Sequence, residues 1–156
     1  MNDVESVLAH AEQTCKAHGA RLTGKRKQVL SGLLQSERAL SAYELVDFCH
    51  NQFGEALPAM SVYRILDFLE REELVHKLRL ANKYVACSHI TCDHAHAVPQ
   101  FLICSRCQKV REISIDKQVV RELQQNVEDA GYRLLSPQLE MNCLCNVCQE
   151  DEVASP

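Results

Sequence analysis

The spacing of apolar residues predicts four helices in the first half of the chain. The first helix has an apolar stripe with a spacing of three or four residues, made of Val4, Val7, Leu8, Ala11 and Cys15. Gly19 marks its end, and a second helix begins at Thr23, whose hydroxyl can cap it. Ser41 and Glu44 have the spacing of a capping box and open a third helix. The fourth helix follows Pro58. Its predicted buried face is Val62, Ile65, Leu66 and Leu69.

Two short strands are predicted after the fourth helix. They cover residues 74–80 and 83–87 and would form a β-hairpin around Ala81 and Asn82. Helices followed by a hairpin are typical of a winged helix-turn-helix, whose recognition helix enters the major groove of DNA. The alternative is a generic small helical domain whose hairpin only closes the core.

The second half of the chain has a different pattern. It predicts strands at 101–104 and 110–115, a helix that Asp116 caps and Gly131 ends, and a further strand over 132–141. The apolar face of that helix is Val120, Leu123 and Val127. We expect an α+β protein. A β-β-α-β unit of this size buries little apolar surface, so a metal ion or a second subunit should help to stabilise it.

Composition narrows the class of protein. The chain has 156 residues, 46% of them hydrophobic, and a net charge of −4, which argues against coating nucleic acid through bulk positive charge. A local basic cluster lies at residues 21–27. Because no stretch has a signal-peptide h-region or about 18 apolar residues in a row, we expect a cytoplasmic protein. Nine cysteines in a reducing compartment favour metal ligation over disulfides.

Two Cys-x-x-Cys pairs form the strongest motif. Cys104 and Cys107 form one pair, and Cys145 and Cys148 form the other. Two such pairs meet the tetrahedral geometry of a closed, structural zinc site. The rival interpretation is a thioredoxin-like redox pair. We disfavour it because neither pair is predicted at the start of a helix, where a thiolate is activated.

A second, looser group of possible metal ligands extends over residues 76–112. Its members are His76, Cys87, His89, Cys92, His94, His96 and Glu112. Thiolate and imidazole with one carboxylate suit Zn(II), whereas oxygen-rich sites favour manganese or magnesium. The chain lacks a His-Glu-x-x-His motif and a general base beside an open zinc position, so we predict no catalytic residues and no enzyme activity.

Taken together, these features resemble the ferric uptake regulator family over nearly the whole chain. The motifs that carry the resemblance are Leu22-Thr23-x-x-Arg26, Ser41-Ala42-Tyr43-Glu44-Leu45, Val62-Tyr63-Arg64-x-Leu66 and the two cysteine pairs. Within the family, Val75-His76-Lys77 and Cys87 are most similar to members that sense zinc. Iron sensors of the family typically use carboxylate and imidazole in that region.

The resemblance implies a homodimeric repressor of zinc-uptake genes that binds a double-stranded DNA operator, with no membrane or small-molecule substrate as partner. It implies a winged-helix DNA-binding domain at 1–87, a His/Cys-rich hinge at 88–100, an α/β dimerisation domain stapled by zinc at 101–149 and an acidic tail at 150–156.

Two zinc ions per subunit are expected from the same resemblance. The structural ligands would be Cys104, Cys107, Cys145 and Cys148. The sensory ligands would be His76, Cys87, His96 and Glu112, with His94, His89 and Cys92 as second choices. One metal ion held by the wing and by the dimerisation half would fix the angle between them. Such an ion would set the spacing of two recognition helices, which must lie about 34–36 Å apart on a two-fold operator.

DNA contacts are predicted at the recognition helix and at the basic cluster. The candidates are Arg64, Tyr63, Tyr43 and Ser61 near bases, and Arg21, Lys25 and Arg26 at phosphates. Tyr43 and Tyr63 have a second interpretation as core aromatics. Two other functions stay open. One is a sensor of iron, manganese or peroxide on the same scaffold, and the other is a thiol redox protein that uses Cys15, Cys49, Cys92 and Cys143.

Overall fold

The structure is a computed structural model that describes residues 4–91 and 98–154. Its backbone contacts divide the chain into two compact units, Met1–Asp93 and His94–Pro156. This division falls inside the segment 88–100 that the sequence assigns to a hinge, and the domain bounds themselves stay a prediction. Among the described helices, none is long and apolar enough to cross a membrane.

Four helices and a hairpin build the N-terminal unit. Their bounds are α1 Val4–Ala17, α2 Gly24–Gln35, α3 Ala42–Phe53, α4 Ala59–Arg71, β1 Val75–Leu78 and β2 Lys83–Ala86. The predicted caps are confirmed. The Thr23 hydroxyl accepts a hydrogen bond from the backbone N–H of Arg26, and Ser41 and Glu44 form both halves of a capping box. Gly19 has φ 74° after α1, a left-handed conformation that glycine adopts without strain.

One apolar core holds this unit together. It draws buried side chains from all four helices and from the hairpin, including Leu30, Leu45 and Leu66. The helices α2 and α3 approach closely at Gly32, where an added Cβ would lie 2.8 Å from a ring carbon of Phe48. The predicted buried face of α4 needs one correction. Ile65 is only half-buried, and Phe68 is the residue that is buried there.

The hairpin pairs antiparallel, with Val75 opposite Ala86 and Leu78 opposite Lys83. The prediction that the first strand runs to residue 80 is therefore wrong. Residues 79–82 form a four-residue turn, and Asn82 at its end has φ 51°, which asparagine tolerates better than most residues. Leu40, just before α3, forms an isolated antiparallel bridge with Tyr84.

The C-terminal unit is a small mixed sheet with two helices. Its elements are β3 Pro99–Cys104, β4 Val110–Ser114, α5 Lys117–Asp129, β5 Leu139–Cys143 and α6 Asn146–Ala154. The sheet order is β4-β3-β5, with β4 antiparallel and β5 parallel to the central strand. Asp116 caps α5 by accepting from the N–H of Gln118, as predicted.

The predicted strand over 132–141 is wrong, because only residues from Leu139 onward join the sheet. The buried side chain of Gln100 explains the late start. Its amide nitrogen donates to the carbonyl of Pro137 (3.0 Å), and its carbonyl oxygen accepts from the N–H of Leu139 (2.6 Å). The chain before Leu139 is thus held by a side chain instead of a strand ladder. Residues 150–154, expected as part of an acidic tail, belong to α6.

Candidate metal centres and DNA-contact surface

The structure brings the two cysteine pairs together within the C-terminal unit. The sulfur atoms of Cys104, Cys107, Cys145 and Cys148 all lie within 4.8 Å of one another. The sulfurs of Cys107 and Cys145, one from each pair, are 3.7 Å apart. That separation is far longer than a disulfide bond of about 2.05 Å. A tetrahedral site with Zn–S bonds of about 2.3 Å places its sulfurs about 3.8 Å apart, so the cluster fits zinc.

Both cysteine pairs sit at the ends of sheet strands. Cys104 is the last residue of β3, and Cys145 follows β5 and directly precedes α6. Gln108 closes the first knuckle with φ 67° and donates its N–H to the carbonyl of Cys104 (2.9 Å). Gln149 donates its N–H to the carbonyl of Cys145 in the same way (2.9 Å). A metal ion held by these four cysteines would therefore tie the central strand to the C-terminal helix.

One thiol of the cluster is already poised to ionise. Backbone N–H groups of Cys107 and Cys145 point at the sulfur of Cys104 and lower its pKa to about 5. Burial, together with the neighbouring thiols, raises the pKa of Cys148 to about 12. A divalent cation at the centre would relieve the mutual repulsion of four thiolates, because its charge favours the deprotonated form of each.

The prediction that neither cysteine pair lies at the start of a helix is wrong. Cys145 and Cys148 do lie between a strand and a helix, since β5 ends at Cys143 and α6 begins at Asn146. A thiolate at that position gains from the helix N-terminus. The convergence of both pairs at tetrahedral spacing, and not their position along the chain, is what favours a metal site.

A second candidate site lies on the hairpin of the N-terminal unit. His76 is a half-buried residue of β1, and Cys87 follows β2 and is buried. A ring nitrogen of His76 lies within 4.8 Å of the Cys87 sulfur. The N–H of Cys87 donates to the carbonyl of Leu74 (2.9 Å), which fixes the cysteine at the base of the hairpin. The backbone N–H of His89 donates to the Cys87 sulfur (3.4 Å). The Cys87 thiol and the His76 imidazole are thus close together within one unit.

The remaining candidates for the sensory site belong to other segments of the chain. Glu112 is a half-buried residue of β4 in the C-terminal unit, paired across the sheet with Phe101. Cys92, His94 and His96 lie outside the described residues. The choice between His96 and its alternatives therefore stays a prediction.

The predicted DNA-contact residues of α3 and α4 differ in how far their side chains are exposed to solvent. Tyr43 in the first turn of α3 is 66% exposed, so it is not a core aromatic. Tyr63 and Ser61 near the start of α4 are half-buried, and Arg64 is exposed. Acidic residues are absent from the first turn of α4. The N-terminal end of α4 therefore has no negative side chain in its first turn that would repel the phosphates of DNA.

Arg26 has a role that the sequence did not reveal. Its guanidinium lies 3.7 Å from the ring centroid of Phe68, and it donates to the carbonyl of Arg21 (2.6 Å). Cation–π stacking of this kind links α2 to α4. Arg26 and Phe68 also line an open cavity of about 760 Å³, whose other lining residues are Arg64, Asp67, Glu70 and Arg71. Arg21 and Lys25, the other predicted phosphate ligands, are exposed.

Comparison with known proteins places this arrangement in a family. The sequence profile of the ferric uptake regulator family matches residues 17–142, a range that covers α2 to α5 and the first cysteine pair, Cys104 and Cys107. The chain belongs to the ferric uptake regulator family. The resemblance inferred from the sequence motifs is confirmed, as is the α+β fold class.

Several relatives within the family have known functions or structures. The zinc uptake regulation protein of Escherichia coli (strain K12) is 35% identical over 156 residues, covering 95% of this chain and 84% of the relative. A solved zinc uptake regulator complexed with zinc and DNA is 30% identical, with a TM-score of 0.83 over 98% of this chain and 99% of that chain. The crystal structure of holo XcZur is 35% identical, with a TM-score of 0.77 over 95% of this chain and 99% of that chain.

Proposed function

We propose that the protein is a zinc-responsive, sequence-specific DNA-binding repressor of zinc-uptake genes. It acts in the cytoplasm as a homodimer and is not an enzyme. Family membership and the zinc uptake regulators among the relatives support this function. The observation that carries it is the thiol of Cys87 within 4.8 Å of the His76 ring. A thiolate beside imidazole favours zinc over the harder ions iron and manganese.

Two zinc ions per subunit have separate tasks in this proposal. Cys104, Cys107, Cys145 and Cys148 hold a structural ion, for which their spacing is the support. His76, Cys87, Glu112 and His96 hold a regulatory ion, with His94, His89 or Cys92 as substitutes. When bound, the regulatory zinc would be neutralised by the charges of the thiolate and the carboxylate, and the neutral imidazole would donate a nitrogen lone pair. Loss of any of these donors weakens regulation without unfolding the N-terminal unit.

DNA contact is assigned to α3, α4 and the basic cluster. Arg64 and Tyr63 read bases from the recognition helix α4, with Ser61 and Tyr43 beside them. Arg21 and Lys25 contact phosphates, which fixes the register of the protein on the duplex. Arg26 holds α2 against α4 through Phe68, and a phosphate contact of its own is part of the proposal.

A homodimer is supported by the apolar face of α5. None of the 13 residues of this helix, all of which the structure describes, is buried. Val120, Leu123 and Val127 nevertheless share one side of it, and Val119 is 50% exposed. A second copy of the chain would cover this face and present two recognition helices to a two-fold operator.

Two other functions remain as alternatives. A sensor of iron, manganese or peroxide would use the same scaffold, and some relatives are ferric uptake regulation proteins. A thiol redox protein would use surplus cysteines such as Cys15 and Cys49. Burial raises the pKa of both of these thiols, which makes them poor nucleophiles.

Replacement of Cys87 by serine tests the proposal. The operator is first obtained by selecting bound duplexes from a random-sequence pool in the presence of zinc. Cys87→Ser should raise the free zinc needed for half-maximal binding at least about tenfold, because the metal site loses a thiolate ligand. Cys143→Ser is the matched control, since Cys143 is a half-buried cysteine outside both candidate sites.

The results of this experiment distinguish the proposed function from its two alternatives. If Cys87→Ser leaves zinc-dependent binding to the operator unchanged, then the ligands of the sensory site are assigned wrongly. Equal or stronger activation by iron or manganese in the unaltered protein would favour the alternative sensors. A cycling disulfide at equilibrium, measured by thiol titration with and without chelator, would favour a redox protein.

A further inference from the structure

One strand of the hairpin connects the candidate sensory site to the start of α3. Cys87, a proposed metal ligand, directly follows β2. Tyr84 lies three residues before Cys87 and forms the isolated bridge with Leu40. Leu40 in turn lies three residues before Tyr43, a proposed DNA contact. The connection between the two sites is therefore short, and it lies entirely within the N-terminal unit.

The bridge consists of two backbone hydrogen bonds. The N–H of Leu40 donates to the carbonyl of Tyr84 (2.9 Å), and the N–H of Tyr84 donates to the carbonyl of Leu40 (2.8 Å). The two residues thus form a hydrogen-bonded pair of an antiparallel sheet. Because this pair is isolated from the strand ladders, both bonds can open together while the apolar core stays folded. The bridge therefore has two states, formed and open.

A side-chain contact joins the same two segments. The Nζ of Lys83, the first residue of β2, lies 3.4 Å from Oε1 of Glu44. The same oxygen accepts a hydrogen bond from the backbone N–H of Ser41 (3.2 Å), which is one half of the capping box of α3. Both charged side chains are nearly half exposed, so the ion pair alone is weak. It nevertheless links the position of β2 to the cap of the helix that carries Tyr43.

A metal ion at the candidate sensory site would restrict the motion of this strand. His76 on β1 lies opposite Val85, which stands between Tyr84 and Cys87 on the other strand. An ion bound by His76 and Cys87 would thus join both strands close to the bridge. Each strand has only four residues, and a two-stranded hairpin of that size is marginally stable by itself. Such an ion should therefore favour the formed state of the bridge.

We propose that zinc bound at the hairpin also orders the start of α3, through the bridge between Tyr84 and Leu40 and through the ion pair of Lys83 with Glu44. Glu44 is then a positioning residue, which acts on the helix turn that carries Tyr43. The proposal rests on the proposed zinc-dependent binding of DNA and adds a route of regulation to it. This route changes the N-terminal unit itself, so it is independent of any effect of the ion on the angle between the units.

The first test measures amide hydrogen exchange of the full chain without DNA. The Leu40 amide should exchange at least about threefold more slowly in the chain with two zinc ions than in the chain with one, because the bridge opens less often. The amide of Gly54, which donates to the carbonyl of His50 at the other end of α3 (3.0 Å), is the internal control and should not change. In Cys87→Ser, the same free zinc should leave the Leu40 amide unchanged.

The second test measures the coupling factor, the ratio of operator affinity with two zinc ions to operator affinity with one. Glu44→Gln keeps a side chain that can cap α3 but loses the attraction to Lys83, so it should lower this ratio about two- to threefold. Any direct effect of the lost charge on DNA acts on both affinities and cancels in the ratio. Glu12→Gln is the matched control, because it removes the partner of Lys27 (2.9 Å) between α1 and α2.

Either of two results would overturn the proposal. One is a Leu40 amide that exchanges equally fast with one and with two zinc ions, and the other is a coupling factor of Glu44→Gln equal to that of Glu12→Gln. If Glu44→Gln does not fold, judged by circular dichroism, then Lys83→Met replaces it with the same expectations. Failure of the unaltered protein to bind the operator more tightly with a second zinc would instead contradict the proposed function, so the two failures are distinguishable.

Discussion

The two units of the protein are stabilised in different ways. The N-terminal unit has a continuous apolar core to which four helices and a hairpin contribute. In the described part of the C-terminal unit, the buried apolar side chains are Phe101, Cys104 and Cys148. Two of those three are cysteines of the proposed zinc site. Leu135 and Tyr132 in the same unit are 82% and 75% exposed.

The N-terminal unit thus has an apolar core of its own, whereas the described part of the C-terminal unit has none of similar size. Burial of apolar surface contributes about 25 cal/mol per Å², and the C-terminal unit buries few complete side chains. Two other contributions can stabilise the C-terminal unit in place of a core. One is a cation bound by four thiolates, and the other is a second subunit that covers an apolar face. Four predictions test this division.

Removal of the structural metal should have the largest effect and should act on one unit alone. Zinc in such sites contributes an apparent 10–16 kcal/mol, roughly, to folding. We expect Cys104→Ser to unfold the C-terminal unit, because the central strand then loses its link to α6. Amide hydrogen exchange, followed residue by residue, measures protection in each unit. Equal protection of the C-terminal unit in Cys104→Ser and in the control Cys143→Ser would contradict the division.

A cavity in the apolar core should destabilise the N-terminal unit and leave the C-terminal unit unchanged. Leu30 is fully buried in α2, and Leu30→Ala should lower the free energy of unfolding of the N-terminal unit by about 2–5 kcal/mol. The metal content of the chain should not change. Chemical denaturation monitored with zinc bound and with chelator measures both. A loss of stability that disappears when zinc is added would argue that the two units are not independently stabilised.

A charge on the apolar face of α5 should separate the subunits. Leu123→Glu buries a carboxylate in the proposed interface and should weaken dimerisation by about 2 kcal/mol or more, the value typical of a hot spot. Gln125→Glu adds the same charge about 200° around the helix and should leave the dimer intact. Sedimentation equilibrium distinguishes the two. Dimers of equal strength in both variants would place the interface elsewhere.

Loss of the capping box should have the smallest effect. Ser41→Ala removes the hydroxyl that accepts from the N–H of Glu44 at 3.1 Å, so it should lower stability by about 1 kcal/mol. The effect should be confined to the N-terminal unit. Ser61→Ala is a suitable control for thermal unfolding, because Pro58 at the N-cap of α4 makes no side-chain cap hydrogen bond and Ser61 is not a cap.

Local signals in the sequence predicted much of this structure. Caps such as Thr23 and Ser41 act within three residues, so their effects could be inferred from neighbouring residues alone. The cysteine pairs could be recognised because zinc geometry demands two knuckles. The late start of β5 could not be predicted, since it depends on Gln100 reaching Pro137 and Leu139 from a distant position. The stacking of Arg26 on Phe68 was missed for the same reason.

The hairpin contains both a feature that the sequence predicts and one that it does not. Its two strands follow from alternation, but the length of its turn depends on Asn82 adopting φ 51°, which composition does not specify. The proximity of His76 and Cys87 then follows from the antiparallel register, which brings Val75 opposite Ala86. A strand running to residue 80 would not have predicted the exposed tip at Leu80.

Zinc-dependent binding of DNA is the central claim, and one titration tests it most directly. Binding of the selected operator duplex is measured against buffered free zinc, beside parallel titrations with manganese and iron, while the metal bound per chain is counted. We predict cooperative binding that begins when a second zinc joins a chain already holding one, and little response to the other metals at matched free concentrations. Operator binding of equal strength in a chain that holds only the structural zinc would contradict the account.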